Sequence, residues 1–261
     1  FIFLVATISL VAVALGVAAL IIVMSVMNGF RAELFDKIVG LNGHAVVQGY
    51  NGRLADWRNV LKDVKATPGV TEASPLIEQP LLATHNGRVE AILTRGMLVS
   101  DILENPTLKG KTIDGDLRLL RPGSGRVAIG SRLAQNLGAR VGQQLTIINP
   151  QGRATPFGNV PREISYEISA IFEVGVYDYD KAFVIMPIED AQLLMLMDDE
   201  IGMIELTTED ADDVNRILAP LAPKIADKAL IVDWKSMNAS LFEALAIERV
   251  AMFVVLSIIV L

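Results

Sequence analysis

The chain carries two histidines, His44 and His85, and no cysteine. A zinc site needs several His, Cys or carboxylate ligands converging on one ion, so His44, just before the apolar run Ala45-Val46-Val47, reads as the start of a strand. No GxxxxGK[ST] loop occurs, which excludes ATP binding in the P-loop manner, and the GxSxG and HExxH signatures are missing as well. Acidic residues do cluster, at Asp114-Gly115-Asp116, at Asp178 with Asp180, at Asp198-Asp199-Glu200 and over Asp210 to Asp213. None has the ligand spacing of an EF-hand loop, and all read as solvated turns and helix N-termini. The expectation is a non-catalytic chain with no metal ligand and no cofactor of its own.

The elements that carry any other function are set by where charge is allowed. Of 261 residues, 52% are hydrophobic and 20% charged, close to an ordinary globular composition; the distribution is what decides. No Asp, Glu, Lys or Arg occurs from Phe1 to Phe30 or from Val250 to Leu261, so every charge lies between Arg31 and Arg249. About 20 apolar residues span a bilayer, so the first run reads as a membrane helix. Helical composition continues through RAELFDKIV to Gly40, with Phe30, Leu34 and Ile38 on one face, as a stalk entering water. Ser9, Ala12, Gly16 and Ala19 recur on one side of the span, where another helix can approach closely. At the other end Trp234 to Arg249 is amphipathic and runs into twelve apolar residues. These would span only about 18 Å at 1.5 Å per residue, so they are expected to be the start of a second membrane helix.

The charged middle is long enough for one core or two small ones. His44 to Gln48 reads as a strand, Leu54, Trp57, Leu61 and Val64 as a helix face stopped by Pro68-Gly69, and a strand follows from Val70. The same order returns near the end: a strand over Met203 to Thr207, a helix face of Val214, Ile217, Leu218 and Leu221, and a strand over Leu230 to Val232. Thr207 with Asp210 resembles a capping box for that helix. Two βαβ halves separated in sequence predict one split α+β domain with an insertion. The insertion, rich in Gly, Pro and strands, holds a short helix at Ser131 to Leu137, ended by Gly138, and another after Pro187. A net charge of −7 argues against nucleic acid, and no basic run marks a peripheral lipid-binding segment.

Four stretches carry a family resemblance: GVAALIIVMSVMNGFRAEL (Gly16 to Leu34), VAIGSRLAQNLGARVGQQLTI (Val127 to Ile147), IFEVGVYDYDKAFVIMPIEDAQ (Ile171 to Gln192) and DWKSMNASLFEALAIER (Asp233 to Arg249). In this order they resemble the MacB-type permeases of ABC systems and, more narrowly, the lipoprotein-releasing permeases of the LolC/LolE family. The resemblance implies a multi-pass protein of the bacterial inner membrane, with four membrane helices and its large domain in the periplasm between the first two. It implies a Porter-like lobe over 41–87 and 200–234 and a Sabre-like inserted lobe over 88–199, between a first membrane helix and stalk (1–40) and a second (235–261). It further implies a LolD-like ATPase partner that binds ATP and magnesium, and a second permease, either another copy or a LolE-like relative. The function implied is release of outer-membrane-directed lipoproteins to a LolA-like periplasmic carrier. ATP hydrolysis by the partner would drive periplasmic lobe motion through the stalks.

One segment bears on the carrier. Asn149 to Pro161, NPQGRATPFGNVP, is expected as a loop between strands Gln144–Ile148 and Ser165–Phe172. Taken alone, these residues read as an ordinary hairpin loop with Phe157 folded back on the domain. The segment also resembles the protruding Hook by which LolC-type permeases grip the carrier, and that resemblance assigns carrier contact to Thr155, Pro156, Phe157, Gly158, Asn159, Val160 and Pro161. Prolines limit its freedom, glycines permit the turn, and Phe157 is a lone large apolar anchor. The polar patch beside the Hook in the family has no clear match, since Glu163 and Ile164 follow Pro161. Met24, Met27 and Met252 are flexible apolar side chains suited to a lipoprotein cavity, and equally to plain packing or lipid contact. Other readings are a MacB-like efflux or FtsX-like signalling permease, or a membrane sensor with a periplasmic ligand-binding domain. The Hook-like loop argues against the two permease alternatives.

Overall fold

A charge-free run rich in Ala, Val, Leu and Ile, without proline, has every reason to form one helix. In the computed structural model, which describes residues 2–41, 43–156 and 158–260, it does so over α1, Ile2–Leu41, for 40 residues. Its first 26 residues, Ile2–Met27, are long and apolar enough to cross a membrane, and α1 is the one such helix among the described residues. The chain divides into two compact units, the helical segments at its two ends and a mixed unit over His44–Ile231.

The second helical segment departs from the unbroken amphipathic helix that the sequence suggests. It consists of α9, Trp234–Met237, and α10, Ala239–Val260. Asn238 between them sits at φ −114, ψ 30. Its side-chain nitrogen donates to the Trp234 carbonyl at 2.8 Å, which also accepts the Asn238 N–H at 3.2 Å, so the last turn of α9 closes on itself. Asn competes with helix in this way. Asp233 caps α9, accepting the Ser236 N–H at 2.7 Å.

In the mixed unit the split βαβ expectation holds. β1 (Ala45–Gly49), α2 (Trp57–Lys65) and β2 (Val70–His85) form one half; β9 (Met203–Thr208), α7 (Val214–Leu218), α8 (Ala222–Ile225) and β10 (Ala229–Asp233) form the other. The strands interleave in the order β10-β1-β9-β2, and β9 is antiparallel to both β1 and β2. Trp57, Val60 and Val64 are the buried face of α2, with Leu61 only half-buried. The second helix is broken, since Pro220 and Pro223 interrupt the ladder, and the predicted capping box is not formed. Thr208 instead donates its hydroxyl to the Asp210 carbonyl in the turn after β9, and Asp213 precedes the helix.

Between the halves lie β3 (Arg88–Met97), α3 (Val99–Glu104), β4 (Thr112–Gly115), β5 (Arg126–Gly130) and α4 (Ser131–Leu137). They are followed by β6 (Gln144–Thr155), β7 (Gly158–Phe172), α5 (Tyr177–Ala182), β8 (Phe183–Pro187) and α6 (Ile188–Met195). Six strands close on themselves: β2 pairs β3, β3 pairs β8, β8 pairs β5, β5 pairs β7, β7 pairs β6, and β6 returns to β2. β5 and β8 are buried along nearly their whole length, which is why VAIG and FVIMP are unbroken apolar runs. Helices pack outside this ring. An added Cβ on Gly96 of β3 would stand 2.3 Å from the Ala191 Cβ, so α6 reaches a distance only glycine permits. Gly138 ends α4 at φ +68, as its position after Leu137 predicts. Leu76, Met97, Ile102, Leu120, Phe172 and Ile185 share one buried cluster, each such side chain stabilising the fold by about 1.5–3 kcal/mol.

Strand β2 belongs to both systems. Val70 to Leu76 pair with β9, and Leu76 to His85 pair with β3. On the edge opposite β3 the β6 ladder begins only at Leu82.

Candidate functional site

β6 and β7 leave the ring together and continue as an arm. From Gln144↔Glu167 the antiparallel register runs without interruption to Asn149↔Arg162, then resumes at Arg153↔Val160 and continues through Ala154↔Asn159 to Thr155↔Gly158. Across the interruption β6 advances four residues while β7 advances two, so Pro150 to Gly152 form a bulge opposite Pro161. A proline cannot donate to a ladder, and a bulge is where no donation is required. The segment expected as a loop is therefore two paired strands, with both inner prolines at their one irregularity. Gly152 is obligatory there: its φ is +35, and a Cβ would lie 1.8 Å from the Val160 carbonyl oxygen.

The outermost rung is Thr155↔Gly158; Pro156 follows Thr155, and Gly158 takes φ +116. Phe157 lies outside the described residues. Thr155 and Asn159 are placed by their backbone on the outermost rungs. Pro156, Gly158, Val160 and Pro161 are exposed, and Val160 presents 56% of its surface. The six described residues among the seven assigned by resemblance to carrier contact thus share the outer half of one hairpin.

The root of the arm is fixed by a residue the sequence did not single out. Asn149 is buried; its Oδ1 accepts the Gln151 N–H at 3.0 Å, and its Nδ2 points at the Leu194 carbonyl at 3.4 Å, at the end of α6. Asn followed two residues on by an N–H is an Asx turn, a signal readable in Asn149-Pro150-Gln151. Below it Thr146 and Ser165 share a hydroxyl hydrogen bond of 2.8 Å across the same two strands. Beside these strands, at the ring end, Thr84, His85, Asn86, Gln143, Gln144 and Thr146 line a shallow groove of about 440 Å³. His85 uses both ring nitrogens, with Nδ1 donating to the Gln144 carbonyl at 2.7 Å and Nε2 accepting from Asn86 at 2.9 Å.

Several of the other polar candidates have structural partners. His44 accepts the Thr208 N–H on Nδ1 at 3.1 Å, and burial lowers its pKa, against the pull of Asp210. Asp116 accepts from the Arg118 side chain and N–H, which hold its carboxyl below the usual range. Buried Asp180 receives the N–H groups of Val174 and Gly175 at 2.8 and 3.1 Å. Arg58 binds both oxygens of Asp199, and Arg53 pairs with Glu200 at 2.8 Å. In the helical unit Met24 is exposed on α1, one turn from half-buried Met27, and Met252 is half-buried on α10.

Residues 6–223 match the model of the MacB-like periplasmic core domain. The chain belongs to this family. Among curated relatives, the lipoprotein-releasing system transmembrane protein LolC of Neisseria meningitidis serogroup B is 33% identical over 254 residues, 97% of this chain and 61% of that protein. The LolC of Xylella fastidiosa is 31% identical over 97% of this chain and 60% of its own length. The lipoprotein-releasing system transmembrane protein LolE of Haemophilus influenzae is 22% identical over 98% of this chain and 62% of its own. The chain spans about three fifths of the length of these relatives. The family resemblance read from the four sequence stretches agrees with these matches, and the α+β class with the fold.

Proposed function

We propose that this chain is part of the permease subunit of an ABC transporter that releases outer-membrane-directed lipoproteins from the bacterial inner membrane to a periplasmic carrier. In this reading the split βαβ sheet is the Porter-like lobe (41–87 and 200–234), and the ring strands other than β2, with the arm, form the Sabre-like lobe (88–199). The terminal helices, 1–40 and 235–261, are membrane spans and stalks. The chain carries no catalytic residue; a LolD-like partner hydrolyses ATP with magnesium, and a second permease, a copy or a LolE-like relative, completes the membrane path. Met24, Met27 and Met252 face the acyl chains of the lipoprotein.

The observation that carries this reading is the arm. Its described outer residues Pro156, Gly158, Val160 and Pro161 are exposed, and its bulge glycine and buried Asn149 anchor preorganise it, which lowers the ordering cost of binding. The relatives named as lipoprotein-releasing proteins supply the class of partner, a LolA-like carrier. The test is Phe157→Glu in the full-length protein, titrated with the carrier. Interface hot spots are worth about 2 kcal/mol or more, so affinity falls at least roughly tenfold, while thermal stability barely changes. Unaltered carrier affinity in a folded variant refutes carrier contact at the tip. A loss of stability with affinity retained places Phe157 in the core instead.

A further inference from the structure

A guanidinium buried in a strand that otherwise reads AILT-GM requires a reason, and Arg95 of β3 has one. Its side chain is 7% exposed. Its Nε lies 3.0 Å from a Glu78 carboxylate oxygen on β2. Its Nη2 donates to both carboxylate oxygens of Glu205 on β9, at 3.0 and 3.1 Å. The Phe183 ring of β8 lies under it, with its centroid 5.5 Å from the guanidinium carbon, and that ring stacks on Tyr179 of α5 at 4.3 Å. Four strands and a helix therefore converge on one cation.

The place matters more than the strength. Arg95 stands directly opposite Glu78 in the β2–β3 ladder, whereas Glu205 stands opposite Ser74, on the other edge of β2. On that edge the β9 ladder ends at Leu76 and the β6 ladder begins at Leu82. Over Ile77 to Leu81 β2 thus has a ladder on one edge only. This is where the split sheet stops and the ring begins, and backbone bonding across the joint is thinnest. Arg95 reaches over β2 there and ties β9 of the split sheet to the β2–β3 hairpin of the ring.

We propose that Arg95, with Glu78 and Glu205, is an ionic clasp that fixes the orientation of the ring and its arm relative to the split βαβ sheet. Arg suits the task because its planar guanidinium donates from one nitrogen to both Glu205 oxygens while another side of the same charge lies against Glu78, an arrangement that the compact point charge of a lysine does not provide. The clasp is a positioning device, acting on the arm through the ring. On the reading proposed above, it is the link by which motion of the split sheet is delivered to the arm.

The test is a distance measurement in the full-length protein in lipid nanodiscs. Spin labels are placed at Lys62→Cys on α2 and Gln135→Cys on α4, both exposed positions; residues 1–261 hold no native cysteine, and any beyond them is first replaced by serine. The parent gives one narrow distance distribution. Arg95→Met gives a broadened distribution with a second population, and Arg95→Lys an intermediate one. Removing the cation alone leaves two half-buried carboxylates facing each other without their partner, which endangers folding. The triple variant Arg95→Met/Glu78→Gln/Glu205→Gln removes that charge while keeping the volume, and it too is expected to broaden. A distribution as narrow as the parent's in a folded triple variant overturns the clasp. Because distance is read without any transport assay, the clasp stands or falls separately from lipoprotein release. Loss of release with ATP hydrolysis retained in the same variants adds support for both.

Discussion

Gly152→Val is the most direct test of whether arm geometry matters. The new side chain would enter backbone at φ +35, with its Cβ 1.8 Å from the Val160 oxygen, 2.8 Å from the Val160 carbonyl carbon and 2.9 Å from the Pro161 Cα. These neighbours are backbone atoms, so no rotamer change relieves the contact. A non-glycine residue held in such a region costs about 1–3 kcal/mol before any clash is counted. Against this stand the rungs beyond the bulge, Arg153↔Val160, Ala154↔Asn159 and Thr155↔Gly158, whose hydrogen bonds each contribute about 0.5–1.5 kcal/mol net. A short two-stranded ribbon is marginal in water, so the strain is relieved by opening the outer arm. The ring is not opened, because Leu145, Ile147, Tyr166 and Ile168 are buried in it. Hydrogen exchange is then expected to quicken at Arg153 to Thr155 and Gly158 to Val160 and to stay slow at Tyr166 to Ile168. Carrier affinity is expected to fall at least roughly tenfold, about 1.4 kcal/mol. An arm shown to be open, with carrier affinity intact, refutes the view that a preorganised hairpin is what the carrier reads. Faster exchange throughout the ring refutes the partition of the strain.

Further outcomes follow from other elements. Leu34→Pro breaks the helix ladder of α1 at about 3 kcal/mol or more; lipoprotein release is expected to fail while the partner's ATP hydrolysis continues, and normal release with a proven break removes the stalk from the mechanism. Burial raises the Glu78 pKa above the ordinary 4.5, against Arg95 and with Glu205. The folded state therefore holds its proton more tightly than the unfolded one, and this contribution to stability, full below pH 4.5, is lost as pH rises through the raised pKa. Glu78→Gln, with Glu205 still paired to Arg95, should flatten that part of the pH–stability curve in denaturant unfolding, and an unchanged slope refutes the assignment. A reporter active only in the periplasm, fused at Gly110, is expected to be active; activity of a cytoplasm-only reporter there reverses the topology.

What was legible in the sequence was what short windows determine. The charge-free run of α1, the apolar runs VAIG and FVIMP, the stop at Gly138 and the repeated strand–helix–strand order each depend on neighbours within a few residues. The arm was half legible. Pro150, Pro156 and Pro161 are breaker signals, and they suggested a loop because a proline excludes a ladder only where an N–H must be donated. Whether a proline faces a bulge depends on the partner strand's register, which no local pattern contains. The breaks at Asn238 and in the α7–α8 segment were missed for a related reason. Amphipathic spacing continued through both, but Asn238 had a carbonyl within reach and Pro220 lacked an N–H.

Arg95 shows the remaining limit. In sequence it is one charge in an apolar strand, and its partners are Glu78, across a hairpin, and Glu205, 110 residues away. Nothing local joins them; the joint exists only because β2 leaves β9 at Leu76 and is not met by β6 until Leu82. The same topology gives the arm its rigidity. A hairpin rooted on an open sheet edge could twist with that edge, but β6 is paired to β2 and β7 to β5, so the root of the arm is held from both sides. Meanwhile β1 and β10, the strands adjoining the helical segments in the chain, are neighbours at one edge of the split sheet. On the reading proposed above, displacement introduced at that edge would pass through β9 to β2, where the β9 ladder ends at Leu76 and Arg95 spans the joint, with Arg53 bonding the Leu196 carbonyl beside α6 as a further tie. A fold meant to move a rigid arm as a unit needs its compliance outside the ring, and this joint is where the ladders leave room for it.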